Sequence, residues 1–419
     1  MRKLSALADS LVGSEIVRLG NAISERVKNG EHIYNYTIGD FNPKIFPIPT
    51  ELENFIIQAY KEHHTNYPAA NGVLELRESI SYFVKKRLDI EYNVDEIQVA
   101  SGGRPLIYAA FKTVVDDNDK VIYAAPSWNN NHYTHLTNGK HCVINCYAEN
   151  NFMPTAAAIA DHIEGATLLC LCTPQNPTGT VLDKDELTAI CDLVLAENKS
   201  RGDQEKKLYV MFDQMYWTLT YGSTVHYNPV SLRSEMKEFT IFIDGISKSF
   251  SATGVRVGWT MAPIEIINKM RALLSHLGAW APMAEQKAVA QYLLNDDDID
   301  NYFLGFKAAI ENRLHKIYNG IINLKNKGYS VDAIDPQAAI YLTIKIDLVG
   351  KTTSTGKLLE KQADVTEYLL SEAKLAIVPF TAFGADATSA WYRLSVGVVK
   401  LDDIEKVLQL LEAALEKLK

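Results

Sequence analysis

"TLLCLCTPQNPTG", residues 167–179, is a nearly unbroken apolar run that stops at Thr173 and gives way to two prolines, an asparagine and a glycine. A strand with one wet face alternates apolar and polar residues. A run that is apolar at almost every position has both faces covered, as in a sheet flanked by helices, and the proline- and glycine-bearing break that follows is a turn. The pattern repeats on both sides of this stretch: "IQVAS" (97–101), "KVIYAAP" (120–126), "CVINCY" (142–147), "KLYVMFDQ" (207–214), "FTIFIDG" (239–245) and "VGWTMAP" (257–263). Helical patterns such as "PLIYAAFKTVV" and "DKDELTAICDLVLAEN" lie between several of them, the second opening on Asp183 with Glu186 three residues on, a capping signature. The alternation predicts an α/β domain over residues 46–295, with a mostly parallel seven-stranded sheet flanked by helices.

The flanks read differently. Residues 1–45 carry an amphipathic helical pattern and a loop ending in "TIGDFNP". Residues 296–419 hold a long helical pattern up to Gly328, strand-like "AIYLTIKI" and "YRLSVGVV", and a closing helix "LDDIEKVLQLLEAALEKLK". Both chain ends together predict a second, smaller α+β domain. Neither repeats nor low-complexity segments interrupt the chain, and "KTTSTGK" (351–357) reads as a surface loop.

Composition limits the partners. With 419 residues the chain exceeds one compact core, and 47% hydrophobic with 22% charged residues is ordinary for a soluble globular protein. A net charge of −9 without a dense basic block argues against nucleic acid and against an anionic membrane surface. No run approaches the roughly 18 apolar residues of a membrane span. Asp9 and Glu15 interrupt the start before a secretory apolar core develops, so a cytoplasmic protein is expected. The five cysteines fit that compartment: Cys142, Cys146, Cys170 and Cys172 fall in apolar runs and Cys191 in a helical pattern, which predicts reduced, buried thiols. "CLC" is too tight for zinc-ligand spacing, and no metal is expected.

Ligands of open α/β sheets bind beyond the carboxyl ends of the strands, so the polar residues that end the runs are the candidates. "IQVAS" leads into Gly102, Gly103, Arg104 and Pro105, a turn that lets the backbone approach an anion at a helix start. Later run ends deliver Trp128, then Asn176, then Asp213 with Tyr216, and finally Ser247, Lys248 and Arg256 in "DGISKSFSATGVRVGW". A carboxylate closing a buried run, such as Asp213, calls for a cationic partner.

The order and spacing of these residues resemble the fold-type-I pyridoxal-5′-phosphate enzymes, specifically the class I/II aminotransferases similar to aspartate aminotransferase. "NPTG" and "SKSFSATGVRVGW" are the most specific pieces, and the likeness runs from "YTIGDFNP" to "YRLSVG". The resemblance implies a pyridoxal 5′-phosphate cofactor and transfer of an amino group between an L-amino acid and a 2-oxo acid, with 2-oxoglutarate as the expected acceptor. It implies Lys248 as the lysine of the internal aldimine and proton shuttle, which needs an amine that can be neutral near pH 7. Asp213 would hold the pyridinium nitrogen protonated, and Tyr216 and Asn176 would donate to the phenolic oxygen. Trp128 would cover the ring. Gly102, Gly103, Arg104, Ser247 and Arg256 would hold the phosphate, with Tyr67 reaching it from a second subunit of a homodimer. Gly39, Trp128, Asn176 and Arg393 would bind substrate, the Arg393 fork taking the α-carboxylate.

The departures are equally specific. Gly245 stands three residues before the lysine, where the family offers a serine hydroxyl to the phosphate. "LSHLGAWAPMAEQ" (274–286) lacks the second arginine of aspartate-selective relatives, whereas Trp128, Trp280 and Trp391 would suit a neutral or aromatic side chain. His132 is offset by one residue from the place of an imidazole that backs the pyridinium carboxylate. A same-fold β-eliminating C–S lyase or decarboxylase would use the same residues. A cofactor-sensing regulatory module would need an added DNA-binding domain, for which about 38 residues before Gly39 are too few.

Overall fold

Seven strands form the central sheet of the protein, whose computed structural model describes residues 4–13 and 15–419. They are β1 (Ile97–Ala100), β2 (Lys120–Ala125), β3 (Lys140–Asn145), β4 (Ala166–Cys172), β5 (Tyr209–Asp213), β6 (Thr240–Gly245) and β7 (Gly258–Met261), in the order β1-β7-β6-β5-β4-β2-β3. Each apolar run of the sequence supplies one strand. β3, β2, β4, β5 and β6 pair in parallel. β7 alone runs against its neighbours, pairing antiparallel with β6 and β1; the connection from β6, residues 246–257, holds only the single-turn helix Ile246–Ser249 and no long crossover helix. Continuous apolarity follows from burial of both faces: α1 (Gly103–Val114) and α4 (Ile264–Leu277) pack on one face around Leu106, Phe111, Val121, Leu168, Met211, Ile241 and Met270, and the alternate residues Ile122, Leu169, Phe212 and Phe242 are buried on the other.

The capping signature at Asp183 is half realised. Asp183 Oδ1 accepts from the Glu186 amide at 2.8 Å at the start of α2 (Lys184–Ser200), but the Glu186 carboxylate accepts from the Ala156 amide instead of returning to the cap. All five cysteines are free thiols; Cys146, Cys170 and Cys191 are buried, and Cys142 and Cys172 keep partial access to solvent.

The chain divides into two compact units. The larger comprises Asp40–Ala309 with Gln337–Ala339; the smaller takes in the chain up to Gly39, Ile310–Pro336 and Ile340–Lys419. The long helix α5 (Asp296–Asn326) contributes residues to both. In the smaller unit β8 (Val331–Ala333), β9 (Tyr341–Ile346), β10 (Val378–Pro379) and β11 (Trp391–Ser395) form an antiparallel sheet in the order β10-β11-β9-β8. Tyr34–Asn35 pairs in parallel with Leu375–Ala376, and Ile23 of the helix Glu15–Lys28 is buried against Leu370 and Ala376. Arg2 and Lys3, the basic start of the chain, lie outside the described residues. No described helix is long and apolar enough to cross a membrane.

Candidate active site

The larger unit gathers its polar residues where β1, β5 and β6 end. β1 ends at Ala100, Gly102 turns with φ of +90°, and α1 begins at Gly103 with its first amides unpaired by the helix itself. Arg256 approaches this turn closely: its Nη2 donates to the Ser101 carbonyl at 2.8 Å and its Nη1 to the Thr253 carbonyl at 2.7 Å. A Cβ on Gly102 would lie 2.8 Å from the Arg256 Cζ and displace that side chain, and the positive φ favours glycine whatever the space. Helix-start amides beside a guanidinium form a local anion cradle inside an acidic protein. Ser247, in the single-turn helix α3 (Ile246–Ser249) that also carries Lys248, is buried.

Asp213 closes β5, and its Oδ1 accepts from the Met215 amide at 3.1 Å. It forms no ion pair among the described residues, and burial pushes its carboxyl up to about 6 against that hydrogen bond. The arrangement suits a cationic ligand group at this carboxylate. Tyr216, three residues on, is buried. Lys248 stands beside it: the Nζ lies 5.9 Å from the Tyr216 ring centroid and 5.5 Å from that of Phe41. Phe41 belongs to "TIGDFNP", and reading that segment only for its glycine misses the ring that flanks the amine.

Trp128 follows β2 and stacks against Arg104 of α1, whose Cζ is 4.6 Å from the ring. The Arg104 side chain is thus engaged with the tryptophan. Asn176 is buried in the turn after β4. Tyr67 is 81% exposed and meets Trp280 edge-to-face with centroids 5.1 Å apart. Trp280 and Glu285, which accepts from the Tyr60 hydroxyl at 2.8 Å, occupy the stretch where the second arginine is absent. His132 makes no side-chain hydrogen bond among the described residues.

Gly245 has a steric reason. A Cβ there would stand 2.8 Å from the Gly258 Cα and 2.9 Å from the Val257 carbonyl oxygen, and a Cβ on Gly258 would stand 2.9 Å from the Gly102 Cα. β7 threads between two backbones that leave no room for a serine.

In the smaller unit Arg393 of β11 is 2% exposed and donates through Nη2 to the Thr37 carbonyl at 2.7 Å. Its guanidinium carbon lies 4.7 Å from the Tyr341 ring centroid and 4.8 Å from that of Phe383. Two rings fix the plane of the fork, which is the geometry for bidentate binding of a carboxylate. Gly39 lies against Tyr341: a Cβ there would be 2.8 Å from its hydroxyl.

The family model for class I and II aminotransferases matches residues 44–411. The chain belongs to this family. The aminotransferase is 28% identical to an aspartate aminotransferase of Bacillus subtilis over 99% of both chains, and 29% identical to a probable aspartate/prephenate aminotransferase of Rickettsia felis over 88% of this chain and 86% of that one. Among solved structures, aspartate aminotransferase from Rhizobium meliloti superposes with a TM-score of 0.90 at 24% identity, covering 100% of both chains. An aromatic aminotransferase from Pyrococcus horikoshii superposes with a TM-score of 0.81 at 26% identity, over 94% of this chain and 98% of that one. The protein is therefore a pyridoxal-phosphate-dependent aminotransferase.

Proposed function

We propose that this aminotransferase moves the amino group of an L-amino acid with a neutral or aromatic side chain to 2-oxoglutarate, with Lys248 carrying the cofactor and the proton. The observation that carries the proposal is the company Lys248 keeps in the larger unit: a carboxylate without a cation at Asp213 and an anion cradle of Gly102, Gly103 and Arg256. Those residues fit pyridoxal phosphate, which joins a phosphate to a ring nitrogen that is cationic when protonated. When bound, the cofactor supplies an electron sink for charge released at the substrate α-carbon.

The α1 amides and Arg256 hold the phosphate, and Ser247 adds a hydroxyl in place of the serine excluded at 245. Asp213 would keep a proton on the ring nitrogen, its Oδ1 already accepting from the Met215 amide. Tyr216 and Asn176, both buried, donate to the phenolic oxygen. Lys248 Nζ would take the proton from the α-carbon of the amino donor, pass it to the cofactor side, and in the return half-reaction give a proton to the α-carbon of the 2-oxo acceptor. Trp128, steadied by Arg104, covers the ring. Arg393 clamps the α-carboxylate shared by donor and acceptor, with the Gly39 amide. Tyr67, exposed on the single chain, supports a homodimer in which it reaches the partner's phosphate. The side-chain preference rests on the aromatic and acidic stretch around Trp280 and Glu285, which offers no guanidinium to a distal carboxylate.

The test is a panel of amino donors with 2-oxoglutarate as acceptor, run beside Lys248→Ala. Glutamate and the matching keto acid should form in equal amounts, fastest from aromatic or neutral donors, and Lys248→Ala should lose both turnover and the yellow absorbance while keeping its circular dichroism. Release of ammonia with pyruvate, or an unchanged spectrum in the variant, refutes the reading.

A further inference from the structure

Behind Asp213 lies a second carboxylate that none of the steps above employs. Asp244 is completely enclosed, one residue past the β6 position that pairs with Asp213, so its side chain points to the opposite sheet face. Three hydrogen bonds end on it: Gln214 Nε2 at 3.1 Å and Trp217 Nε1 at 3.0 Å on Oδ2, and its own neighbour's amide, Gly245 N, at 2.7 Å on Oδ1. All three partners donate. An ionised carboxylate satisfies them, whereas a protonated acid would set its O–H, and an asparagine its NH2, against the donor on one of the two positions. The next link points the same way, since His226 Nε2 lies 3.4 Å from Gln214 Oε1 and can donate to it. No ion pair among the described residues involves Asp244.

The donors are placed for consequence. Gln214 and Trp217 bracket Met215 and Tyr216, in the turn that begins at Asp213, while Asp244 itself opens the segment leading through Gly245 to Lys248. One carboxylate therefore ties the Asp213–Tyr216 turn to the Lys248 segment.

We propose that Asp244 is a positioning residue that acts as an anion: its charge, held by Gln214, Trp217 and the Gly245 amide, backs Asp213 in keeping the cofactor site favourable to protons. This rests on the reading of Asp213 as the partner of the ring nitrogen. The titratable groups acting on it are Asp213 from β5 and, through Gln214, His226. Burial pushes the Asp244 carboxyl up to about 7, the three donors pull it back and repulsion from Asp213 adds to the rise. Burial also pushes the His226 imidazole down to about 3, so it faces Gln214 as a neutral ring.

The experiment follows the pH midpoint at which the visible band of the holoenzyme gives way to its near-ultraviolet band. Removing a nearby anion destabilises the protonated, visible form, so Asp244→Asn should lower the midpoint by about one pH unit, the scale of a single charge interaction in a protein interior. Trp217→Phe, which removes one donor and leaves the carboxyl, should lower it by less and decides the matter alone if Asp244→Asn does not fold. Asp213→Asn serves as the reference for the underlying reading. A midpoint unchanged or raised in Asp244→Asn and Trp217→Phe, with Asp213→Asn lowered, overturns the role of Asp244 and leaves that of Asp213 standing. A midpoint unchanged in all three removes both.

Discussion

Asp213→Asn in the cofactor-free protein turns the carboxylate at the end of β5 into a stability measurement. The Asp213 carboxyl is pushed from 3.8 to about 6 by burial. Between those values the unfolded chain has released its proton and the folded chain still holds it, so folding loses stability as pH rises through this window and regains none above it. A shift of about two units, at about 1.4 kcal/mol each, is roughly 3 kcal/mol; with the residue only partly enclosed, roughly 2 to 3 kcal/mol is the expected cost at pH 8. Asparagine does not titrate. The variant should therefore match the parent at pH 4 and exceed it by that amount at pH 8. His226, whose lowered value gives stability lost as pH falls below its ordinary range, slopes the other way, but it is common to both proteins and leaves the difference. Urea denaturation of both proteins at pH 4, 6 and 8, with equal m-values, gives the comparison. Equal stability at pH 8, or a more stable parent, would refute a buried and uncompensated carboxylate.

Gly245→Ser should lower the thermal midpoint by the few degrees that about 1 to 3 kcal/mol of overpacking produces, because the added Cβ meets backbone at Gly258 and Val257 that has no rotamer with which to yield; an unchanged midpoint would mean that β7 moves aside. Arg393→Lys should reduce kcat/KM toward every amino donor and every 2-oxo acceptor by about two orders of magnitude, since a lysine between the Tyr341 and Phe383 rings cannot offer two parallel donors. The cofactor absorbance should persist. A loss confined to one substrate would assign Arg393 to a side chain instead.

The sheet was legible because it advertises itself one strand at a time: cover on both faces leaves a run such as "KVIYAAP" with no polar position, and the turn residues mark where it stops. The direction of β7 was not, because "VGWTMAP" is apolar whichever way it runs and only its partners settle the matter. Much the same division holds at the site. Asp213 ends a run, and Lys248 and Arg256 fall in the short segment between two runs, where sequence order and the family resemblance single them out as candidates. Asp244 also ends a run, but its meaning lies in Gln214 and Trp217, 30 and 27 residues away in sequence, and no spacing rule links them. Glu186 likewise satisfied a local rule and chose Ala156, 30 residues distant. Gly245 reads as a lost serine until the neighbouring backbones are seen.

The stacking of Gly102, Gly258 and Gly245 has a bearing on how the enzyme can be altered. Gly258 is the backbone wall that a Cβ on Gly245 would meet, and Gly102 the wall that a Cβ on Gly258 would meet, so a larger residue at 245 or 258 cannot be accommodated by trimming a side chain; at Gly102 the neighbour is the Arg256 guanidinium and the positive φ is the barrier. In a saturation library the three should be depleted together, and pairs should fare no better than singles. On the proposed placement of the phosphate, selection for a tighter holoenzyme would then have to work through Ser247 and the residues around Arg256, where side-chain atoms remain to exchange.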